Sequence, residues 1–147
     1  MALIIRRYRP SDYTEINRRS WDQVSDMRFP NREMVAMNLT KGAAYTMVSD
    51  EGIVACGGIV PLWRGVGEGW AITSELLAQY RLSFAKATLR YMGQVIEELK
   101  LERIQAVVME GHIESMKWLE WMGFKQEGMM RKYIGGGNYI RYAWVKE

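Results

Sequence analysis

Leu101-Glu102-Arg103-Ile104-Gln105-Ala106-Val107-Val108-Met109 reads as a buried strand, and Gly111-His112-Ile113-Glu114 carries it into a short helix, Ser115 to Met122, that stops at Gly123-Phe124. The apolar run is strand length, and glycine marks both turns that bound the helix. Ser115 reads as the N-cap of that helix, because its hydroxyl can accept from an amide of the first turn.

Upstream, Tyr80 to Leu99 holds the longest helical signal. Leu89, Met92, Ile96 and Leu99 recur at spacings of three and four and form one apolar stripe. Arg90, Gln94, Glu97, Glu98 and Lys100 take much of the other face. Downstream, Phe124 to Tyr133 and Tyr139 to Val145 read as strands joined through Gly135-Gly136-Gly137-Asn138, a turn cluster suited to a hairpin.

The N-terminal half begins with a strand, Leu3 to Arg7. Pro10-Ser11-Asp12 then starts a helix over Tyr13 to Arg19, with Asp12 and Glu15 in a capping-box pattern. A linker follows around Ser25-Asp26. Phe29-Pro30-Asn31 opens a second helix, with Asn31 as its N-cap and Gly42 placed to end it. Ala44 to Val48 and Ile53 to Leu62 pair across the turn Ser49-Asp50-Glu51-Gly52. Gly57-Gly58 inside the return strand marks a bulge or a close backbone approach. Arg64-Gly65-Val66-Gly67 reads as a loop and Gly69 to Thr73 as a further strand. The order is strand, two helices, three strands, long helix, strand, short helix, two strands. It predicts an α+β fold, one domain over 1–147, around a mixed and mostly antiparallel sheet flanked by helices.

Bulk properties narrow the function. The 147 residues carry a net charge of +3, with 48% hydrophobic and 25% charged residues, as in an ordinary globular chain. Lys and Arg are scattered, so no stripe points to nucleic acid, although a local basic patch could receive an acidic ligand. Cys56 and His112 are each the only one of their kind, which gives no metal-ligand spacing and no disulfide within the chain. The start, Met1 to Arg7, lacks the pattern of a secretory signal, and no apolar run reaches membrane-spanning length. A cytoplasmic location is expected, or packaging in a virion after synthesis there.

The element order resembles the GNAT superfamily of acyl-CoA-dependent N-acyltransferases over nearly the whole chain. Ile5-Arg6-Arg7 with Pro10-Ser11-Asp12 is similar to the family's first strand and helix start. Ile53-Val54-Ala55-Cys56-Gly57-Gly58 is similar to its third strand, and Trp118-Leu119-Glu120-Trp121-Met122-Gly123-Phe124 to its closing helix. Trp70 to Glu75 with Ser115 to Phe124 also resembles the small GNAT-like proteins of short-tailed bacteriophages, among them an internal virion protein. The resemblance implies a CoA thioester, such as acetyl-CoA, and an amine acceptor as partners. It leaves another protein, or a second copy of the chain, open as a further partner.

The family's pyrophosphate loop places an Arg or Gln and two close glycines at the start of the long helix, where backbone amides meet the anion. The register here is Arg81-Leu82-Ser83-Phe84-Ala85-Lys86-Ala87, so Phe84 and Lys86 stand where the glycines are expected. Either Arg81, Ser83 and Lys86 supply the contacts, or Phe84 is a core anchor and the cations form a solvated face. The resemblance also implies that backbone amides of Ile72, Thr73 and Ser74 hold the pantetheine arm. The family's helix tyrosine, which protonates the departing thiolate, is replaced by Leu119, and His112 stands near the family's asparagine.

Acyl transfer needs a group to take the amine proton. Glu68 before the fourth strand is preferred for that base over Glu75 behind it, and a solvent-facing carboxylate is the plainer reading. His112 has the pKa for proton transfer, or else completes a turn. Cys56 reads as a small buried residue. Trp63, Trp70, Trp118 and Trp121 either wall a pocket or pack the core. Tyr133 and Tyr139 flank the last hairpin turn, where they either touch substrate or serve as strand aromatics. A competing reading keeps the fold and loses the chemistry: a phage structural or interaction protein with an exposed apolar patch.

Overall fold

A computed structural model describes residues 3–19 and 31–147. Ile4–Arg7 (β1) leads into Pro10–Glu15 (α1). Pro10 sits in the first turn, where its missing N–H breaks no helix bond. The N-cap is Arg9, whose backbone N–H donates to Asp12 Oδ2 at 2.8 Å. Asp12 is therefore inside the helix rather than its cap, and the helix ends at Glu15 instead of Arg19. The reason is tertiary. The Asp12 carboxylate also accepts two bonds of 2.8 Å from the Arg6 guanidinium and one of 2.6 Å from Thr46 Oγ1. One buried carboxylate thus ties β1, α1 and the following strand together.

The linker at Ser25-Asp26 and the start at Phe29-Pro30 lie outside the described residues. Arg32–Asn38 (α2) is capped as expected, with Asn31 accepting from the Met34 amide at 3.1 Å. A short 3-10 turn, Leu39–Lys41, carries the chain to Gly42. A Cβ at Gly42 would lie 1.9 Å from Ile59 O, so this glycine answers to a neighbouring strand rather than to the helix end.

Ala43–Ser49 (β2) and Gly52–Trp63 (β3) form the expected hairpin. Gly57 and Gly58 mark close approach, not a bulge: a Cβ at Gly58 would sit 2.2 Å from Ala43 O, and the register shift falls elsewhere, between Met47 and Val48. Val66–Thr73 (β4) begins earlier than its sequence suggests because Arg64-Gly65 alone makes the turn. A 3-10 segment, Glu75–Gln79, precedes Arg81–Leu99 (α3), and Arg103–Met109 (β5) follows. Ile113–Trp121 (α4) starts before Ser115, because His112 is the N-cap. It ends with Gly123 at φ +97°, where Phe124 N–H donates to Leu119 O at 3.0 Å and Gly123 N–H to Glu120 O at 3.0 Å. This paired bonding closes the helix and buries Phe124. Lys125–Ile134 (β6) and Gly137–Val145 (β7) complete the chain.

The seven strands form one sheet in the order β1-β2-β3-β4-β5-β7-β6. Every pairing is antiparallel except β4 with β5. The mixed, mostly antiparallel α+β arrangement matches the sequence reading. On one face, α3 and α4 cover Ile59, Ile104, Ala106, Val108 and Ile140. On the other, Tyr8, Tyr13, Ile16 and Ala36 from the α1–α2 side pack on Cys56, Trp70 and Ile72. The apolar stripe of α3 is rotated from expectation. Leu89 and Leu99 are exposed, while Val95 is buried and Phe84, Ala87 and Met92 pack inward. The two stripes share Met92 and Ile96, and contact with the sheet selects the one that begins at Phe84. No helix among the described residues is long and apolar enough to cross a membrane.

Burial alone would raise the Asp12 carboxyl, but the bonds from Arg6, Thr46 and the Arg9 amide outweigh it and hold the group below the usual carboxylate range. Asp12→Asn is expected to lose about 2 kcal/mol at pH 7, the scale of hydrogen bonds to a charged group. The native carboxylate stabilises fully above its unfolded value, near 4, and that contribution fades as pH falls through the lower folded value. Urea unfolding of both proteins checks this: the gap narrows below about pH 4, and a gap unchanged down to pH 2 contradicts it.

Candidate functional site in the split between β4 and β5

β4 and β5 pair over three residues only, Val66, Gly67 and Glu68 with Arg103, Ile104 and Gln105. Beyond that point β4 stays with β3 as far as Thr73, and β5 stays with β7 as far as Met109. Each strand satisfies its backbone on its outer side, so the inner edges diverge and the sheet opens as a V.

A cavity of about 230 Å³ passes through this opening. Phe84, Tyr91 and Trp118 line it on the α3–α4 face, and Trp70, Met109 and Tyr139 on the other. A second cavity, about 320 Å³, lies at the mouth against Arg19, Thr73, Arg81, Glu114, Lys117 and Trp121. Ala71, Phe84, His112, Ser115 and Trp118 line both. Phe84 and Trp118 stack with centroids 5.2 Å apart and form the waist between the two spaces. The phenylalanine in the glycine position therefore turns into the cleft and narrows it.

Strand alternation decides which backbone groups face the split. Ser74 N–H donates to Val54 O at 2.9 Å, toward β3. Ile72, two residues away, points the same way. Of the three expected amides, only that of Thr73 faces the opening, together with that of Ala71, which the sequence reading missed. Thr73 O accepts the Arg19 backbone N–H at 3.0 Å. Ser74 Oγ donates to Ile53 O at 2.7 Å and caps Leu76 at 3.3 Å, so its hydroxyl serves the 3-10 segment.

Arg19 spans the mouth. From its backbone contact with β4, its side chain reaches Glu114 Oε1 at 3.1 Å and His112 Nε2 at 3.2 Å on the α4 side. Arg81 meets the other Glu114 oxygen at 3.5 Å. Ser115 Oγ also lies 3.2 Å from His112 Nε2. A guanidinium only donates, so Nε2 is an acceptor and the imidazole is neutral there. Burial, then the charge of Arg19, pushes the His112 pKa down, while Glu114 opposes them. Burial alone would raise Glu114, but Arg19 and Arg81 hold it below the usual range.

Glu68 is the last β4 residue paired to β5, at the vertex of the V. Gln105 Nε2 donates to its Oε1 at 3.1 Å, and Arg141 Nη1 lies 3.9 Å from the same oxygen. Oε2 has no partner among the described residues. Gln105 Oε1 accepts from Arg103 Nε at 3.1 Å, and Arg103 grips Glu127 at 2.6 and 2.8 Å. A polar chain thus fixes the carboxylate from behind. Glu75 instead opens the 3-10 segment; neither it nor Glu68 lines either cavity, and Glu68 reaches only the vertex of the split.

The structure gathers Thr73, Arg81, His112 and Ser115 around the mouth and waist. Ser83 and Lys86 are exposed on α3 and line neither cavity. Arg19 and Lys117 join the site without having been singled out, while Tyr139, expected either to touch substrate or to serve as a strand aromatic, lines the inner cavity. Arg19 and His112 are 93 residues apart, and no local spacing announces their contact. Trp70, Trp118 and Tyr139 line the inner cavity, and each carries a donor, Nε1 or Oη, that is itself buried and has no hydrogen-bond partner among the described residues.

Solved structures match this arrangement along the full chain. Ard1 from Thermoplasma volcanium superposes with a TM-score of 0.80 at 13% identity, over 100% of this chain and 99% of that one. A GNAT-family acetyltransferase from Bacillus anthracis gives 0.69 at 17% identity, over 99% and 95%. The chain has the GNAT fold. A Bacillus subtilis acetyltransferase in complex with CoA gives 0.67 at 13% identity, over 99% and 100%. No family model matches the sequence, and no curated protein matches it. Within the GNAT fold the β4–β5 split is therefore built here from residues that share little sequence with those neighbours.

A lowered His112 pKa has a measurable consequence. The unfolded imidazole, near 6.5, binds more protons than the folded one just below that pH, so folding stability rises with pH up to about 6.5 and is lost as pH falls. His112→Gln is expected to flatten this part of the profile. Urea midpoints of both proteins at pH 5, 6, 7 and 8 test it, and parallel profiles rule it out.

Proposed function

We propose that the chain is an acyl-CoA-dependent N-acyltransferase acting on an amine. The observation that carries this reading is the opening through the sheet: a passage with a cationic mouth at one end, and beside it, at the vertex where the β4–β5 pairing stops, the Glu68 carboxylate. Arg81 and Lys117 at the mouth, with Arg19 beside them, suit a pyrophosphate. The start of α3 adds to them, since Tyr80 gives it no side-chain cap and its first amides face an anion favourably. Ser83 and Lys86 lie on the exposed side of the same turns and meet the nucleotide end. The inner edge of β4 at Ala71 offers strand-like hydrogen bonds to an amide of a pantetheine arm.

Glu68 takes the amine proton through Oε2, directly or through one water, while Gln105 holds Oε1; as the nitrogen bonds to the thioester carbon the C–S bond breaks, and CoA leaves as a thiolate protonated from water. Trp118 Nε1, buried at the waist, donates to the thioester carbonyl as charge builds on its oxygen. His112 is a positioning residue: as a neutral acceptor it holds Arg19 across the mouth with Ser115. A degenerate structural protein would need a plugged split. Phe84 and Trp118 narrow the waist, yet about 230 and 320 Å³ remain on its two sides. Acetyl-CoA is the reference thioester, and phage origin rests on the sequence resemblance alone.

Titration calorimetry with acetyl-CoA tests the reading. Binding is expected, and combined Arg81→Ala and Lys117→Ala substitutions are expected to weaken it about tenfold, the value of one charge-assisted contact. No heat at high micromolar thioester excludes the proposal.

A further inference from the structure

We infer that the inner cavity is an acyl-chain pocket and that the preferred donor carries a chain of about six carbons rather than an acetyl group. The inference rests on the reading of the split as a CoA-thioester site and names which thioester it selects.

At roughly 30 Å³ for each water-sized group, the cavity of about 230 Å³ takes about seven groups the size of a methylene. An acetyl group offers one methyl. The space arises from small residues on both walls. On the sheet, Ala55, Gly57 and Ala71 face α3, and Gly57 is held small because a Cβ there would sit 2.9 Å from Trp70 O. On α3, Ala87 faces the same space. Tyr91, large enough to fill it, is drawn aside to stack on Tyr45 with centroids 4.1 Å apart.

The lining also changes character along its length. Trp118 lines both spaces at the waist, and its buried Nε1–H has no partner among the described residues. Beyond it, Met47, Met92, Leu119 and Met122 offer only apolar surface, and methionine adapts to a flexible chain. A mostly apolar lining with a few polar side chains suits a carbonyl followed by a hydrocarbon tail.

The test is calorimetry of the full chain with CoA, acetyl-CoA, butanoyl-CoA, hexanoyl-CoA and octanoyl-CoA. Each buried methylene is worth about fourfold in affinity, and hexanoyl-CoA is expected to bind at least tenfold tighter than acetyl-CoA. Ala87→Leu, which fills part of the pocket, is expected to remove at least tenfold from hexanoyl-CoA affinity. Binding of acetyl-CoA with a gain below tenfold for hexanoyl-CoA overturns the chain-length inference and leaves the CoA site standing. Failure of all five ligands to bind overturns the CoA reading itself.

Discussion

Three residue pairs between β4 and β5 hold the two halves of this sheet together. Their brevity is the constraint on which the site depends. A longer parallel ladder would seal the sheet, and none at all would let the halves separate. The outer partners set the limit: β3 holds β4 through Thr73, and β7 holds β5 through Met109. The segment at Arg18 and Arg19 covers the end of the inner edge at Thr73 and Ser74, and before it the edge at Ala71 faces a space rather than a neighbouring strand. Such edges call for a ligand with amide groups of its own, because unpaired backbone inside a protein is costly.

On the proposed reading, the mouth keeps a pyrophosphate site while changing its parts. Two glycines at a helix start let phosphates approach backbone amides closely. Here Phe84 occupies one of those positions, and its ring goes into the wedge against Trp118. The helix start remains without a side-chain cap, and the charge is supplied by Arg81, Lys117 and Arg19 around it. Glu114 sits among these cations and pairs with two of them. An incoming anion competes with Glu114, so affinity is set by a difference between two ionic arrangements rather than by the cations alone.

The element order was legible because each boundary has local chemistry: Asn31 as a cap, Gly123 as a stop, Asp50-Glu51 in a turn. Errors fell where tertiary contacts overrule local signals. Asp12 looks like a cap but is claimed by Arg6 and Thr46, and α1 shortens accordingly. On α3 two apolar stripes overlap at Met92 and Ile96, and only the sheet selects between them. Glu68 was legible as a carboxylate on the edge of a strand; its place at the vertex was not, since that depends on where a parallel ladder stops. Strand alternation is visible in sequence, yet which alternate set faces the opening follows from the β3 register. Arg19 was invisible as a site residue because its partners stand on β4 and α4.

The unpartnered donors separate a built site from an accident of packing. Trp70, Trp118 and Tyr139 line the same space, and each buries a polar hydrogen with no partner among the described residues. A sequence selected only for stability replaces such groups with apolar ones of equal shape, because a buried donor without an acceptor is destabilising. Phenylalanine would fit where Tyr139, only 2% exposed, now stands. Retaining the hydroxyl makes physical sense if an acceptor enters the cavity during function. Carbonyl oxygens of a thioester and its pantetheine arm are acceptors of that kind, whereas a purely structural role for the fold gives these three groups nothing to bind.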